Sequence, residues 1–300
     1  MRKLGVCVCH CRLLYASSVK RLKVVLKNLL PPYLTQFVRY CRSAIKSLVH
    51  ADEKIGFVYG FESYSQSVIY LRSIGFDVYQ EQEFIEKLTA AARNVRDGIS
   101  PYERDSVVFN SPHYSWPLVS ALLLSADQKN SISVLDYGGG LGTTYWQNRR
   151  FLDSKSIKIS WKILEQEALV KIGQGEFSNV ELGFINELGE LKEIPQLVIF
   201  GSSICYLPNP YEVMKQIFDL GPEFIVLDRT PFVSGGDDLF AVQFVPPSIY
   251  KAALPIVSLS EEKFNIFMKT EYDLIANWTC EMQPDPNSTA MGFLWKKRLK

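Results

Sequence analysis

The chain has 300 residues, a net charge of +1 and 47% hydrophobic against 22% charged residues. That balance excludes a disordered chain, and the absence of a run of about 18 to 20 uncharged apolar residues argues against a transmembrane helix. All ten Lys and Arg of residues 1–51 stand there without a single Asp or Glu, which leaves 23 basic and 32 acidic residues on the rest. A basic arm on an acidic body points to a surface contact by the arm and excludes a phosphate-backbone binder, so no nucleic-acid partner is expected.

The arm, residues 1–55, opens with Cys7, Cys9, His10 and Cys11. Zinc sites want ligand pairs two to four residues apart and a second pair elsewhere, so these cysteines read as structural or incidental. With Cys41, Cys205 and Cys280 they make no disulfide framework, and a cytoplasmic location is the simplest expectation. Val19, Leu22, Val25, Leu26 and Leu29 form an apolar stripe among lysines, stopped by Pro31 and Pro32. A second amphipathic stretch runs from Leu34 to Val49. Two such helices suit either docking on the body or peripheral contact with an anionic membrane.

Residues 56–125 read as a helical extension or lid. Helix is expected over 63–97, ending at Gly98, and again from Ser115. Residues 126–300 then alternate between strands at 132–137, 159–164, 180–184, 196–201 and 223–228 and helical connections, the signature of a parallel sheet. Two strand-like runs joined by "QPDPNS" read as a terminal hairpin.

The sharpest local signal is "VLDYGGGLGTTYW". A strand ends in an acid, glycines follow, and a helix begins. Glycine permits positive φ and close approach of a ligand to the backbone. A Gly-x-Gly-x-x-Gly dinucleotide turn would put its third glycine at Thr143, and a Walker loop would need a lysine; neither fits. Asp136, Gly138, Gly140 and Gly142 resemble the first motif of class I S-adenosylmethionine-dependent methyltransferases, with Gly139 between them. The resemblance implies that Asp136 receives the cofactor's amino group. It implies that Glu165, ending "ISWKILEQ", grips the ribose hydroxyls, and that Asn186 or Glu187 approaches the adenine. It also implies that Ser202, Ser203 and Tyr206 line the loop between donor and acceptor.

"YERDSVVF", "YSWPL", "CYLPNPY", "IVLDRTPF" and "VQFVPPSIYKAALP" together resemble a narrower group over residues 55–297. It is the bacterial methyltransferase family found with surface-polysaccharide and O-antigen gene clusters. His113 stands where that family has glutamine. The expected fold is α/β: a Rossmann-like, seven-stranded, mostly parallel sheet with an antiparallel C-terminal hairpin, preceded by a helical N-terminal region. The expected activity is methyl transfer from S-adenosylmethionine to a sugar hydroxyl of a surface glycan or its activated precursor, with no resident metal. Asp228, Arg229, Tyr250, Tyr206 and His113 are the candidates for proton removal, acceptor anchoring and stacking. Two other readings stand beside it: a degenerate methyltransferase fold serving as a membrane-docked assembly partner, and an NAD-dependent oxidoreductase.

Overall fold

A computed structural model describes residues 55–76, 81–126, 130–247, 249–250, 252–280 and 286–299. The cysteine cluster and both arm helices fall outside the described residues. In chain order the elements are β1 (Gly56–Phe61), α1 (Tyr64–Ser73), α2 (Glu81–Arg96), β2 (Tyr102–Arg104), β3 (Val107–Phe109), α3 (Trp116–Ala126), β4 (Ser131–Tyr137) and α4 (Thr143–Asp153). They continue as β5 (Lys158–Leu164), α5 (Glu167–Ile172), β6 (Leu182–Ile185), β7 (Leu197–Gly201), α6 (Pro210–Leu220) and β8 (Phe224–Val233). The chain closes with β9 (Leu239–Val245), β10 (Ala252–Ser260), α7 (Glu261–Met268), β11 (Tyr272–Thr279) and β12 (Thr289–Lys297).

The central strands are apolar on both faces because both faces are covered. Val134, Leu197 and Val226 point into a core shared with α2, α3 and α4, which contribute Leu88, Leu122 and Tyr145. Their chain neighbours Leu135, Val198 and Leu227 point the other way, onto Met214 and Ile217 of α6 and Phe264 of α7. The period of two thus splits each strand between two cores. Helix ends are written locally: Ser63 caps α1 by accepting from the Gln66 N–H, Ser260 caps α7 through the Lys263 N–H, and Pro210 opens α6.

The strand order β6-β5-β4-β7-β8-β12-β11 makes a seven-stranded sheet, parallel through β8, with β12 and β11 antiparallel. This is the expected Rossmann-like methyltransferase fold. Parallel order reverses between β4, β5 and β7, so the crevice for a ligand lies beyond the carboxyl ends of those strands.

Five strands, β1, β2, β3, β9 and β10, were not anticipated. β8 is ten residues long; residues 224–228 pair with β7, β12 pairs along it as far as Phe232, and Phe232 and Val233 pair with β10. β10, β9 and β1 then extend the sheet on that branch. The expected helical extension over 56–125, with an irregular segment before Ser115, is therefore corrected. Gly56–Phe61 is a strand held by β9, and Tyr102–Phe109 is a two-stranded hairpin. Local pattern missed β1 because its partner is some 180 residues away and its register breaks between Tyr59 and Phe61.

Candidate functional site

The glycine turn joins β4 to α4. Gly138, Gly140 and Gly142 have φ of +71°, +58° and +89°, a region that side chains disfavour. Gly139 is required for a different reason: a Cβ there would lie 2.5 Å from the Asp136 Cγ. Gly138 likewise makes room for Ser203, whose Cβ would be 2.5 Å away. The turn is stitched to the end of β5, where Gly138 N–H donates to the Leu164 carbonyl at 2.9 Å and Gly140 N–H to Glu165 Oε1 at 3.1 Å. α4 begins at Gly142 without a side-chain cap.

Asp136 lies beneath this turn and is 1% exposed. Its Oδ2 has no hydrogen-bond partner among the described residues. Burial pushes its carboxyl up to about 7; the nearby Trp161 indole opposes this, and the Glu165 charge adds to it. Glu165 accepts from Gly140 N–H and from Gln166 N–H at 2.9 Å, and burial raises its carboxyl too. Ser203 Oγ donates to the Tyr137 carbonyl, and Ser202, at φ +66°, donates its N–H to the Asp228 carbonyl at 2.8 Å. These hydrogen bonds bring Asp136, the four glycines, Glu165, Ser202 and Ser203 to one rim. Asn186 is exposed at the end of β6, one residue past Ile185, whose carbonyl receives the Glu165 N–H at 3.0 Å.

Asp228 is 2% exposed and fully engaged. Its Oδ2 accepts from Arg229 Nη1 at 3.0 Å. Its Oδ1 accepts from Trp278 Nε1 at 3.1 Å and from the Cys280 thiol at 3.5 Å. Burial pushes that thiol up to about 12, so it stays a donor. Arg229 itself sits at φ +53°, and its Nε is buried without a partner among the described residues. Asp228 therefore holds Arg229 and the closing hairpin, a role no local motif encodes, because Trp278 and Cys280 lie fifty residues further on.

Tyr206 donates its hydroxyl to Gln243 Oε1 at 2.9 Å, tying the turn after β7 to β9. Tyr250 packs on Phe84 of α2, with ring centroids 4.9 Å apart. Burial raises both phenols, so both are hydrogen-bond donors. His113 is exposed, and among the described residues its ring contact is with Tyr102, at 5.6 Å; no carboxylate orients it. The placement expected of a general base is not what the structure gives it. Among the described residues no three His, Cys, Asp or Glu converge as a metal site.

The sequence reading missed the β2–β3 hairpin. It places Tyr102 and Glu103, both buried, beside Arg229 and against the Thr143 hydroxyl in the first turn of α4. Burial raises the Glu103 carboxyl, and its Oε2 accepts the Ser106 N–H at 3.2 Å. The available signal was Asp105-Ser106, two turn-forming residues ahead of the short apolar run Val107–Phe109 in "YERDSVVF".

No family model matches this chain, and no curated protein matches it. Solved structures similar to it include methyltransferases. One is the 1,6-didemethyltoxoflavin N1-methyltransferase of Burkholderia thailandensis, bound to 1,6-didemethyltoxoflavin and S-adenosylhomocysteine, with a TM-score of 0.45 and 12% identity over 82% of this chain and 96% of that one. A methyltransferase of Methanosarcina mazei has a TM-score of 0.41 at 10% identity, over 59% and 98%. The glycopeptide N-methyltransferase MtfA with S-adenosylmethionine has a TM-score of 0.41 at 10% identity, over 59% and 91%. Among the described residues no helix is long and apolar enough to cross a membrane.

Proposed function

We propose that the chain is a methyltransferase that takes its methyl group from S-adenosylmethionine, and that its acceptor is a sugar hydroxyl of a surface glycan or of its activated precursor. The observation that carries the cofactor half is Asp136: a buried carboxylate with an oxygen unpartnered among the described residues, directly under a glycine turn at the switch point. Such a group calls for a positive charge laid on the turn. A sulfonium cofactor with an ammonium tail brings one. Glu165 keeps lone pairs beyond the two N–H groups it accepts, which suits ribose hydroxyls. When bound, the cofactor supplies an electrophilic methyl carbon; the chain's residues orient the acceptor and exclude water.

The same surroundings speak against the dinucleotide reading. A pyrophosphate needs the free N-terminus of the helix after the turn. Here Glu103 stands against Thr143 at that end, with Asp136 and Glu165 alongside. The sugar half of the proposal is supported by the resemblance of the motifs at residues 102–118 and 205–255. The peripheral membrane contact rests on the basic arm.

The test is calorimetric titration with S-adenosylhomocysteine and, separately, with NAD. Micromolar binding of the first, lost in Asp136→Ala and Glu165→Ala, is the expected result. A folded protein that binds neither sinks the enzyme reading and promotes the assembly-partner one.

A further inference from the structure

Asp228 and Arg229 are neighbours in β8, yet their side chains pair, with Nη1 donating to Oδ2 at 3.0 Å. Consecutive residues of a regular strand point to opposite faces and do not meet in this way. The strand is not regular here. Thr230 pairs with Met291 of β12 and Leu227 with Phe293, so Asp228 and Arg229 together stand opposite the single residue Gly292. This is a β-bulge, a device that re-aims side chains. Within it Arg229 takes the left-handed conformation, at φ +53°. Glycine and asparagine adopt that conformation readily, and a long side chain is held there only under strain.

Neutralising Asp228 does not account for such an arginine. The Asp228 Oδ1 already accepts from Trp278 and Cys280, and Oδ2 needs only one N–H. A guanidinium brings five. One on Nη1 goes to Asp228, and one on Nη2 points to the Gly201 carbonyl at 3.5 Å. The second N–H of each terminal nitrogen, and that of Nε, have no partner among the described residues. The arginine is also the accessible member of the pair, 25% exposed against 2%.

Its contacts place it in the crevice. Gly201 ends β7 on the carboxyl side of the sheet, paired with Asp228, and a Cβ there would lie 3.4 Å from the Arg229 Nη2. Two residues on, Ser203 packs against Gly138 of the glycine turn. Two chain steps span at most about 7 Å. The guanidinium and the glycine turn therefore flank one short segment, residues 201–203.

We propose that Arg229 receives a carboxylate on the methyl acceptor, which makes the acceptor a hexuronic acid rather than a neutral sugar. The inference deepens the methyl-transfer reading above and rests on it. A flat carboxylate offers two oxygens to N–H groups on the two terminal nitrogens, a match that a lysine ammonium does not reproduce. Asp228 already balances the charge of the arginine. The pair therefore accommodates one added negative charge better than the two of a phosphate monoester. Held by its carboxylate beside residues 201–203, the sugar turns its ring hydroxyls towards the glycine turn.

The test uses the full chain and begins with S-adenosylhomocysteine. Arg229→Lys keeps a cation beside Asp228 and removes the fork. It is expected to bind S-adenosylhomocysteine as wild type does; a loss shows Arg229 serving the cofactor instead and overturns the proposal. A wild type that binds no S-adenosylhomocysteine fails the methyltransferase reading itself and takes this inference with it.

Tritiated methyl transfer then compares hexuronic acids with their amides, with hexoses and with hexose phosphates; acids and hexoses are also supplied linked to nucleoside diphosphates. Wild type is expected to favour the acid over its amide by about 10- to 100-fold in kcat/KM, a comparison that needs no variant. In Arg229→Lys that preference is expected to fall about tenfold or more, chiefly through KM. A residue that only supported the fold would lower both rates alike, so an unchanged preference overturns the proposal. So does a wild type that binds S-adenosylhomocysteine and uses the amide or the hexose as well as the acid, prefers the phosphate, or methylates no hexuronic acid.

Discussion

Gly139 and Asp136 occupy each other's space: the Cβ that Gly139 lacks would stand 2.5 Å from the Asp136 Cγ. The acid at the end of the strand and the second glycine of the turn are thus one structural unit. Gly139→Ala must shift either the carboxylate or the turn, at a cost of about 1 to 3 kcal/mol. The expected outcome is a lower denaturation midpoint together with loss of S-adenosylhomocysteine binding. Gly175→Ala, where nothing lies within 4 Å, serves as the control and is expected to leave both unchanged.

The Asp136 carboxyl also sets a pH dependence. Its folded value, about 7, is above the ordinary 3.8, so the folded state holds this proton more tightly than the unfolded chain. Its contribution to stability is full below about pH 4 and declines as pH rises through 7, by about 4 kcal/mol in all. Urea titrations at pH 5 and pH 8 are expected to show a larger difference in wild type than in Asp136→Asn. A ligand ammonium on the turn favours the ionised carboxylate, so S-adenosylhomocysteine is expected to bind more tightly at pH 8 than at pH 6. Calorimetry in buffers of different ionisation enthalpy would detect the proton released.

Removing Asp228 strands Arg229. The guanidinium side chain is 25% exposed against 2% for the carboxylate, so Asp228→Ala leaves a largely buried cation with no countercharge in contact. The expected loss is about 3 kcal/mol in urea unfolding, with a smaller loss for Asp228→Asn, which keeps the shape. Equal stability of the alanine variant and wild type would show that the pair contributes no net stabilisation.

Trp278 reaches Asp228 only because its cross-strand partner is Gly292, where a Cβ would come within 2.0 Å of the indole. Gly292→Ala is expected to expel the indole from its place. Red-shifted tryptophan emission and a loss of about 1 to 3 kcal/mol are the predicted signs.

The sequence carried the central sheet well because those strands are buried on both faces and bounded by helices. β4, β5 and β7 begin and end within a residue of the expected spans. It carried Asp136 and Glu165 because a strand ending in an acid before a turn is a local pattern. β9 and β10 were hidden by Pro246 and Pro247, which made residues 246–250 read as loop and concealed the strands on either side. Two three-residue strands around Asp105 are too short to show any period. The engagement of Asp228 was illegible for another reason: its partners on the closing hairpin become neighbours only when β12 pairs with β8.

The fork of β8 divides responsibility within the crevice. The glycine turn, Glu165 and Ser203 stand on the seven-stranded half, whereas Gln243 and the strands flanking Tyr250 belong to the branch that begins at Phe232. Residues 239–260 therefore form their own branch of the sheet. Substitutions there can retool which molecule is received while the donor half stays as it is, so relatives that share the glycine turn and differ in this branch are expected to diverge in what they modify.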